Sequence, residues 1–226
     1  MFAQEVFKKG WLPTFQGQVA PGLQCKLDPP PVEDITADGN PYKHAGKLQG
    51  KSAIITGGDS GRDAKDVEEL IKKKALKCKV LFCVSDLRSE QACRIVVKKH
   101  VEFHSSGKVD VLVCNHGNQK GVKSLLDLTS EQWEDTFKTN IHSFLYLSKA
   151  AIPSMLPDSS IIYTTFITPF VGHPELVDYT ATKGAILGLM RSLSNQIVGD
   201  KQIRVNAVAP GPIWTPLMYV QWFQSA

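Results

Sequence analysis

The sequence predicts an α/β domain with a doubly wound parallel sheet, and three observations support this fold class. From residue 51 onward, short apolar runs alternate with helical patterns, as is typical of strand–helix–strand units. A glycine-rich turn directly follows the first apolar run. The chain has 226 residues, of which 42% are hydrophobic. That length and composition are sufficient for one domain with a sizeable core.

Residues 1–50 are predicted to form an extended or partly disordered arm. They are rich in proline, glycine and glutamine, include three consecutive prolines at 29–31, and show no sustained hydrophobic period. Such composition favours neither a helix nor a strand. The α/β domain is therefore assigned to residues 51–226.

Within that domain the hydrophobic pattern predicts five strands and four helical segments. The strands are expected at 52–56, 79–84, 109–114, 160–165 and 203–208. The helices are expected at 63–74, 89–104, 129–155 and 176–198. Right-handed crossovers between parallel strands place such helices against the faces of the sheet.

Composition argues against several classes of protein. The net charge is only +4, and the lysines fall in helical stretches without interleaved aromatics, so no nucleic-acid partner is expected. The five cysteines form no CxxC pair, which predicts no metal site and favours a reducing compartment. Neither a run of 18 apolar residues nor an apolar leader is present, so no membrane association is expected. The expected location is the cytoplasm.

The glycine-rich turn spans Thr56 to Gly61. Between a strand and a helix, such a turn allows backbone amides to approach a pyrophosphate, and the helix N-terminus favours its charge. Gly57 and Gly61 are therefore candidate cofactor-binding residues. Taken alone, the turn is equally consistent with an ordinary strand-to-helix connection.

Tyr179 and Lys183 are four residues apart, which places them on one face of a helix. An ammonium near a phenol stabilises the phenolate and lowers its pKa, so the pair is suited to acid–base chemistry. The same spacing also arises by chance on helix surfaces. Here a segment containing Pro210 and Gly211 follows about 25 residues later, at the end of another predicted strand.

Taken together, these motifs resemble the short-chain dehydrogenase/reductase family. The glycine-rich turn, Asn115-His116-Gly117, Asn140, Tyr179 with Lys183, and Pro210-Gly211 occur in the family's order. The resemblance covers residues 42–217 with one break. Within it, the segments 47–51, 56–61, 178–185 and 209–217 are closer still to general-stress and glucose/ribitol-dehydrogenase-like proteins. The resemblance implies a Rossmann-type sheet and hydride transfer between NAD(P) and a small alcohol or carbonyl compound, with NADP favoured over NAD.

The resemblance also implies roles for individual residues. Tyr179 would exchange a proton with the substrate oxygen, and Lys183 would lower its pKa and hold the nicotinamide ribose. Asn140 would anchor the water of a proton relay. Ile213 and Thr215 would contact the nicotinamide carboxamide.

Two further residues are implied on the adenosine side of the cofactor. Asn115 would lie against the adenosine. Asp86 would lie near the adenine. Alternatively, Asp86 would bind the ribose if the 79–84 strand moved in beside the first strand.

Four departures from the family pattern support a second interpretation. After Gly61 the third glycine and one helix–strand unit are missing, a gap of about 25 to 30 residues. Phe166 occupies the position of the active-site serine, and Cys114 and His116 replace residues of an Asn-Asn-Ala-Gly motif. The chain stops at Ala226, before the substrate loop and a last strand that contribute to one subunit contact of the family's homo-oligomers. The alternative to an active oxidoreductase is thus a catalytically inactive relative or a shortened gene product.

Overall fold

The computed structural model describes residues 24–28, 30–31, 35–36, 38–43, 45–58, 64–74 and 78–217. The chain divides into two compact units. One unit comprises Lys51–Asp59 and Asp63–Pro212 and contains the sheet, and the other comprises Met1–Gly50, Ser60–Arg62 and Ile213–Ala226. The described part of the predicted arm contains a short 3₁₀ turn, Gln24–Lys26, and one isolated bridge between Ile35 and Pro41.

The sheet has four parallel strands in chain order. They are β1 (Ala53–Ile55), β2 (Val111–Cys114), β3 (Ser160–Thr164) and β4 (Arg204–Val208). One register row joins Ile54, Leu112, Ile161 and Val205 across all four strands, and each of these side chains is buried. This parallel sheet with crossover helices confirms the predicted Rossmann-type α/β fold class.

In the described part of the chain, six helices lie between the strands. They are α1 (Ala64–Lys74), α2 (Glu90–Phe103), α3 (Ser130–Phe137), α4 (Ser143–Ala151), α5 (Thr168–Val171) and α6 (Val177–Lys201). A π-helical turn, Lys138–His142, joins α3 to α4. Short 3₁₀ turns occur at Leu125–Asp127 and Ile152–Ser154. The single helix predicted at 129–155 is therefore two helices with a π turn between them.

Local sequence explains where two of these helices begin. Ser89 accepts a hydrogen bond from the Ala92 amide at the start of α2, and Thr129 accepts one from the Gln132 amide at the start of α3. Serine and threonine are favoured at this position because their hydroxyl satisfies an amide that has no partner within the helix.

The core lies between one face of the sheet and three helices. Strand residues such as Leu112 and Tyr163 form one buried cluster with Val97 of α2, Phe144 of α4 and Ile186 of α6. Side chains alternate between the two faces of a strand, and the side chains next in sequence to core residues are less buried. Ile55 of β1 and Val208 of β4 are 58% and 56% exposed.

The prediction of a strand at 79–84 is wrong. These residues form no strand, and Val84 is 98% exposed. A strand needs a neighbour that satisfies its backbone groups, and by resemblance the neighbour of this run belongs to the unit absent after Gly61. Nor does the run add to β1, which in the described part of the chain pairs with β2 alone. The described sheet consequently has four strands and not five.

Candidate active site

The candidate site lies where β1, β2 and β3 end. Thr56 and Gly57 follow β1, Asn115 follows β2, and Phe166 lies two residues beyond β3. Ligands of open α/β sheets bind outside the carboxyl ends of the strands. Helix α6 supplies the remaining candidate residues, including Tyr179, from its first turns.

Tyr179 and Lys183 lie together on α6, as their spacing predicts. The Nζ atom of Lys183 is 5.3 Å from the centre of the Tyr179 ring. It donates a hydrogen bond of 2.9 Å to the carbonyl oxygen of Thr164, the last residue of β3. Both side chains are buried, so the end of β3 fixes the position of the ammonium beneath the phenol.

Burial alters the acid–base properties of this pair. It raises the pKa of Tyr179 above its ordinary value and lowers the pKa of Lys183 to about 8. Removal from water disfavours both charged forms, the phenolate and the ammonium. The direction for Tyr179 is opposite to the lowering expected from its spacing with Lys183. The phenol therefore keeps its proton near neutral pH, which is the form that can donate it.

Asn140 lies in the π turn between α3 and α4 and is fully buried. Its Oδ1 atom accepts from the Asn118 amide at 2.8 Å, and its Nδ2 atom donates to the Asn118 carbonyl at 2.8 Å. Nδ2 also donates to Thr182 Oγ1 at 3.1 Å. The side chain thus cross-links the loop after β2 to α6, next to Lys183.

Two glycines permit close packing at the site. A Cβ atom on Gly117 would lie 3.2 Å from Asn140 Oδ1 and 3.6 Å from Lys183 Nζ. Gly57 has a φ of +67°, and a Cβ there would lie 2.9 Å from the Cα of His116. Glycine adopts this conformation without a steric penalty. A larger residue at Gly117 would fill space beside the ammonium.

His116 connects the end of β1 to α4, a role that the sequence did not indicate. Its Nδ1 is 2.7 Å from Thr56 Oγ1, and its Nε2 is 2.8 Å from Ser143 Oγ. Because Ser143 Oγ donates to the Thr139 carbonyl, it accepts from Nε2, and Nδ1 then accepts from Thr56. Burial, assisted by the positive charge of Lys183, lowers the pKa of His116 to about 4. His116 is therefore a neutral side chain that links Thr56 to Ser143 by hydrogen bonds.

Phe166 lies at the position where the resemblance places the family's serine. Its ring is buried against Tyr179. The neighbouring Thr165 hydroxyl donates to the carbonyl of Lys183 at 2.7 Å, so it is already engaged in holding α6. Thr168 is also buried, and its Oγ1 has no hydrogen-bond partner among the described residues.

The predicted adenosine-side residues have other partners in this structure. Asp86 forms an ion pair of 2.7 Å with Arg88, whose hydrogen bonds lower the pKa of the carboxyl to about 2. Arg88 also contacts Asp135 at 2.5 Å. The backbone amide of Asn115 donates a hydrogen bond to Thr56 Oγ1 at 3.0 Å, and the side-chain Oδ1 of Asn115 accepts one from Thr164 Oγ1 at 3.0 Å.

Three other predicted residues stay predictions. Gly61 lies outside the described residues. Ile213 and Thr215 belong to the compact unit that does not contain the sheet.

Two features are absent from the described residues. No group of three or more histidine, cysteine, aspartate or glutamate residues is arranged to hold a metal ion in the described ranges. Among the helices that the structure describes, none is long and apolar enough to cross a membrane.

Comparison with known proteins adds an independent result. A protein family described as Enoyl-(Acyl carrier protein) reductase matches residues 42–224. General stress protein 39 of Bacillus subtilis is 42% identical over 222 residues, covering 88% of this chain and 74% of that protein. Glucose and ribitol dehydrogenase of Daucus carota is 37% identical over 237 residues, covering 92% of this chain and 79% of that protein. The second alignment is longer than this chain's 226 residues, so it contains positions that the chain lacks.

A solved structure is also similar. A short-chain dehydrogenase from Burkholderia cenocepacia J2315, in complex with NADP, matches with a TM-score of 0.65 and 26% identity. The match covers 73% of this chain and 75% of that one. The chain thus spans about three quarters of the length of these relatives.

Proposed function

Because the chain belongs to the short-chain dehydrogenase/reductase family of oxidoreductases, we propose that it transfers hydride between NADP(H) and a small alcohol or carbonyl compound. The observation that carries this proposal is the buried pair of Tyr179 and Lys183 at the end of β3. A phenol that keeps its proton beside an ammonium is suited to protonate a carbonyl oxygen as it gains negative charge.

Two features of the described residues support a dinucleotide as the cofactor. Gly57 and Gly117 carry no side chain, so none occupies the space beside His116 at Gly57 or beside Asn140 and Lys183 at Gly117. Lys183 has three N–H bonds, of which the described contacts use one, to Thr164, so its ammonium has donors for ribose hydroxyls. Asn115 would lie along the adenosine side. When bound, the nicotinamide supplies or accepts the hydride. NADP is favoured over NAD by the family resemblance and by the NADP complex of the Burkholderia relative.

Three residues each have one role in the proposed reaction. Tyr179 donates the proton to the substrate oxygen during reduction and takes it back during oxidation. Lys183 provides positive charge that stabilises the negative charge left on the Tyr179 oxygen when its proton is transferred. Asn140 holds the loop after β2 against α6, and so keeps the position of Lys183 constant.

The proposed substrates are polyols or sugars and the corresponding carbonyl compounds. The support is the similarity to a protein named glucose and ribitol dehydrogenase. Phe166 favours a second candidate, a catalytically inactive relative, because a phenyl ring cannot donate a hydrogen bond to the substrate oxygen.

The test is an assay of NADPH oxidation with a panel of aldehydes, ketones and sugars, and of NADP reduction with polyols. Tyr179→Phe should abolish nearly all activity, since a phenyl ring carries no exchangeable proton, and Lys183→Ala should remove most of it. Both variants should keep the wild-type thermal midpoint to within a few degrees. Full activity in a folded Tyr179→Phe protein would contradict the proposal, and no activity in the wild type would favour the inactive relative.

Binding is tested separately by calorimetry with NADPH and NADH. We expect weak binding, because the resemblance implies that a helix–strand unit is missing after the glycine-rich turn, and the end of that strand normally selects the ribose. A dissociation constant in the low micromolar range would contradict that expectation while supporting the proposed cofactor.

A further inference from the structure

Asp178 immediately precedes Tyr179 and is fully buried. Its Oδ2 atom accepts hydrogen bonds from Thr136 Oγ1 at 2.8 Å and from Gln132 Nε2 at 3.1 Å. Its Oδ1 atom accepts from the amide of Tyr179 at 2.8 Å. The two side-chain donors lie on α3 and the amide lies on α6. One carboxylate therefore joins two helices at the residue next to the phenol.

The start of α6 is a favourable place for this buried carboxylate. The first amides of a helix have no partner within it, and Leu176, which precedes α6, provides no side-chain cap. Asp178 satisfies one of these amides, and the positive end of the helix dipole stabilises its charge. A buried carboxylate is costly unless it is hydrogen-bonded, and here three donors meet it.

A second cross-link lies one helical turn further along both segments. Asn140 follows Thr136 by four residues, Thr182 follows Asp178 by four, and Asn140 Nδ2 donates to Thr182 Oγ1. The two cross-links, Thr136–Asp178 and Asn140–Thr182, flank the stretch of α6 that carries Tyr179, and Lys183 follows directly. The two cross-links fix the positions of Tyr179 and Lys183 relative to α3. Of the four residues that form the cross-links, only Asn140 is among those implied by the family resemblance.

We propose that Asp178 is a positioning residue that fixes the first turn of α6 against α3 and thereby holds the Tyr179 hydroxyl in its reactive position. The catalytic part of this inference rests on the proposed function. The structural part, that Asp178 holds the Tyr179 amide, does not.

The main variant is Asp178→Asn, which keeps the size of the side chain and replaces one acceptor oxygen by an N–H₂ donor. Whichever way the amide is turned, either the Tyr179 amide or Gln132 Nε2 on α3 then faces another donor. We expect kcat to fall by about 10- to 100-fold, because a displacement of about 1 Å at a reacting group has that effect. KM for NADPH should change by less than about twofold, since the cofactor contacts remain. Asp200→Asn, an exposed carboxylate on the same helix, is the matched control and should leave both constants unchanged.

A double-mutant comparison separates positioning from general stability. Thr136→Val removes one donor to the carboxylate and should lower kcat by a smaller factor. Combined with Asp178→Asn, it should lower kcat little further, because both changes break the same contact. Fully multiplicative effects on kcat would overturn the proposal, as would a loss confined to the thermal midpoint.

Hydrogen exchange at the Tyr179 amide gives a readout that does not need activity. Asp178→Asn should speed exchange of that amide by at least about tenfold, since its acceptor is lost, whereas Asp200→Asn should not. If the wild type has no oxidoreductase activity, the proposed function fails, and exchange still decides whether Asp178 holds Tyr179. Unchanged exchange in Asp178→Asn overturns the inference in either case. Faster exchange with unchanged kcat in an active enzyme overturns the positioning role.

Discussion

The ring of Phe166 lies edge-on to the ring of Tyr179, with 5.9 Å between their centres and 69° between their planes. This is a favourable geometry for two aromatic rings. It places an apolar edge beside the phenol at the position where the family has a hydroxyl donor. The contact favours stability of the resting site over stabilisation of a developing oxyanion.

Phe166→Ser should therefore raise kcat relative to Phe166→Ala by about 10- to 100-fold, because one donor to an oxyanion contributes about that much or more. The alanine variant is the matched control, since both changes remove the same ring. We expect the serine variant to stay below the ordinary range of about 1 to 10³ per second, because the family resemblance implies that a helix–strand unit of the cofactor site is missing after Gly61. Steady-state kinetics decide the matter, and equal rates for serine and alanine would show that the hydroxyl is not limiting.

The reductase rate should decline as pH rises through about 8. Burial lowers the pKa of Lys183 to about 8, so the ammonium is present below that pH and is lost above it. The pH profile of kcat/KM should show this limb in the wild type. In Lys183→Arg, whose guanidinium keeps its charge, any remaining activity should not show it. A wild-type profile that stays flat to pH 10 would contradict the assignment.

Acid should destabilise the fold before the carboxylates titrate. Burial lowers the pKa of both His100 and His116 to about 4, against about 6.5 in an unfolded chain. The stability from keeping them neutral is present above about 6.5 and is lost as pH falls from about 6.5 to about 4. His100 is held by Ser52 Oγ at 2.7 Å, and His116 by Thr56 and Ser143.

Thermal unfolding at pH 7 and pH 5 measures this effect. We expect the midpoint to fall by about 10 °C, because the two histidines together lose about 4 kcal/mol at pH 5 and a domain of this size shifts by roughly 2 to 4 °C per kcal/mol. His116→Ala should show a smaller difference between the two pH values, and His142→Gln is the control. If the thermal midpoint fell as much between pH 7 and pH 5 in both His116→Ala and His100→Gln as in the wild type, other groups would cause the acid sensitivity.

Gly57→Ala and Gly188→Ala should change stability in opposite directions. The backbone at Gly57 has a positive φ, which disfavours alanine, and the added methyl group would lie 2.9 Å from the His116 Cα. We therefore expect the free energy of unfolding to fall by about 2 kcal/mol or more. At Gly188 in α6 nothing lies within 4 Å of the added Cβ, and replacement of a helical glycine should add about 0.5 to 1 kcal/mol. Denaturant unfolding measures both, and a stabilised Gly57→Ala protein would contradict the close packing described.

Hydrophobic alternation predicted four strands correctly and one wrongly, and the reason lies in pairing. β1, β2, β3 and β4 all formed where apolar runs occur, because each has a partner in the sheet. The run 79–84 is also rich in apolar residues, but in the described part of the chain it pairs with no strand. Composition reports the tendency to form a strand, whereas the presence of a partner is a property of the whole fold.

By itself the sequence determined the α/β fold class, the turn after β1 and the shared helix face of Tyr179 and Lys183. These depend on residues close together in the chain, through the alternation of a strand, the freedom of glycine and the pitch of a helix. Only the tertiary structure decided that Tyr179 keeps its proton, that His116 braces the end of β1, and that Asp178 holds the first turn of α6. These depend on burial and on partners 27 to 60 positions away in sequence, which no local pattern encodes.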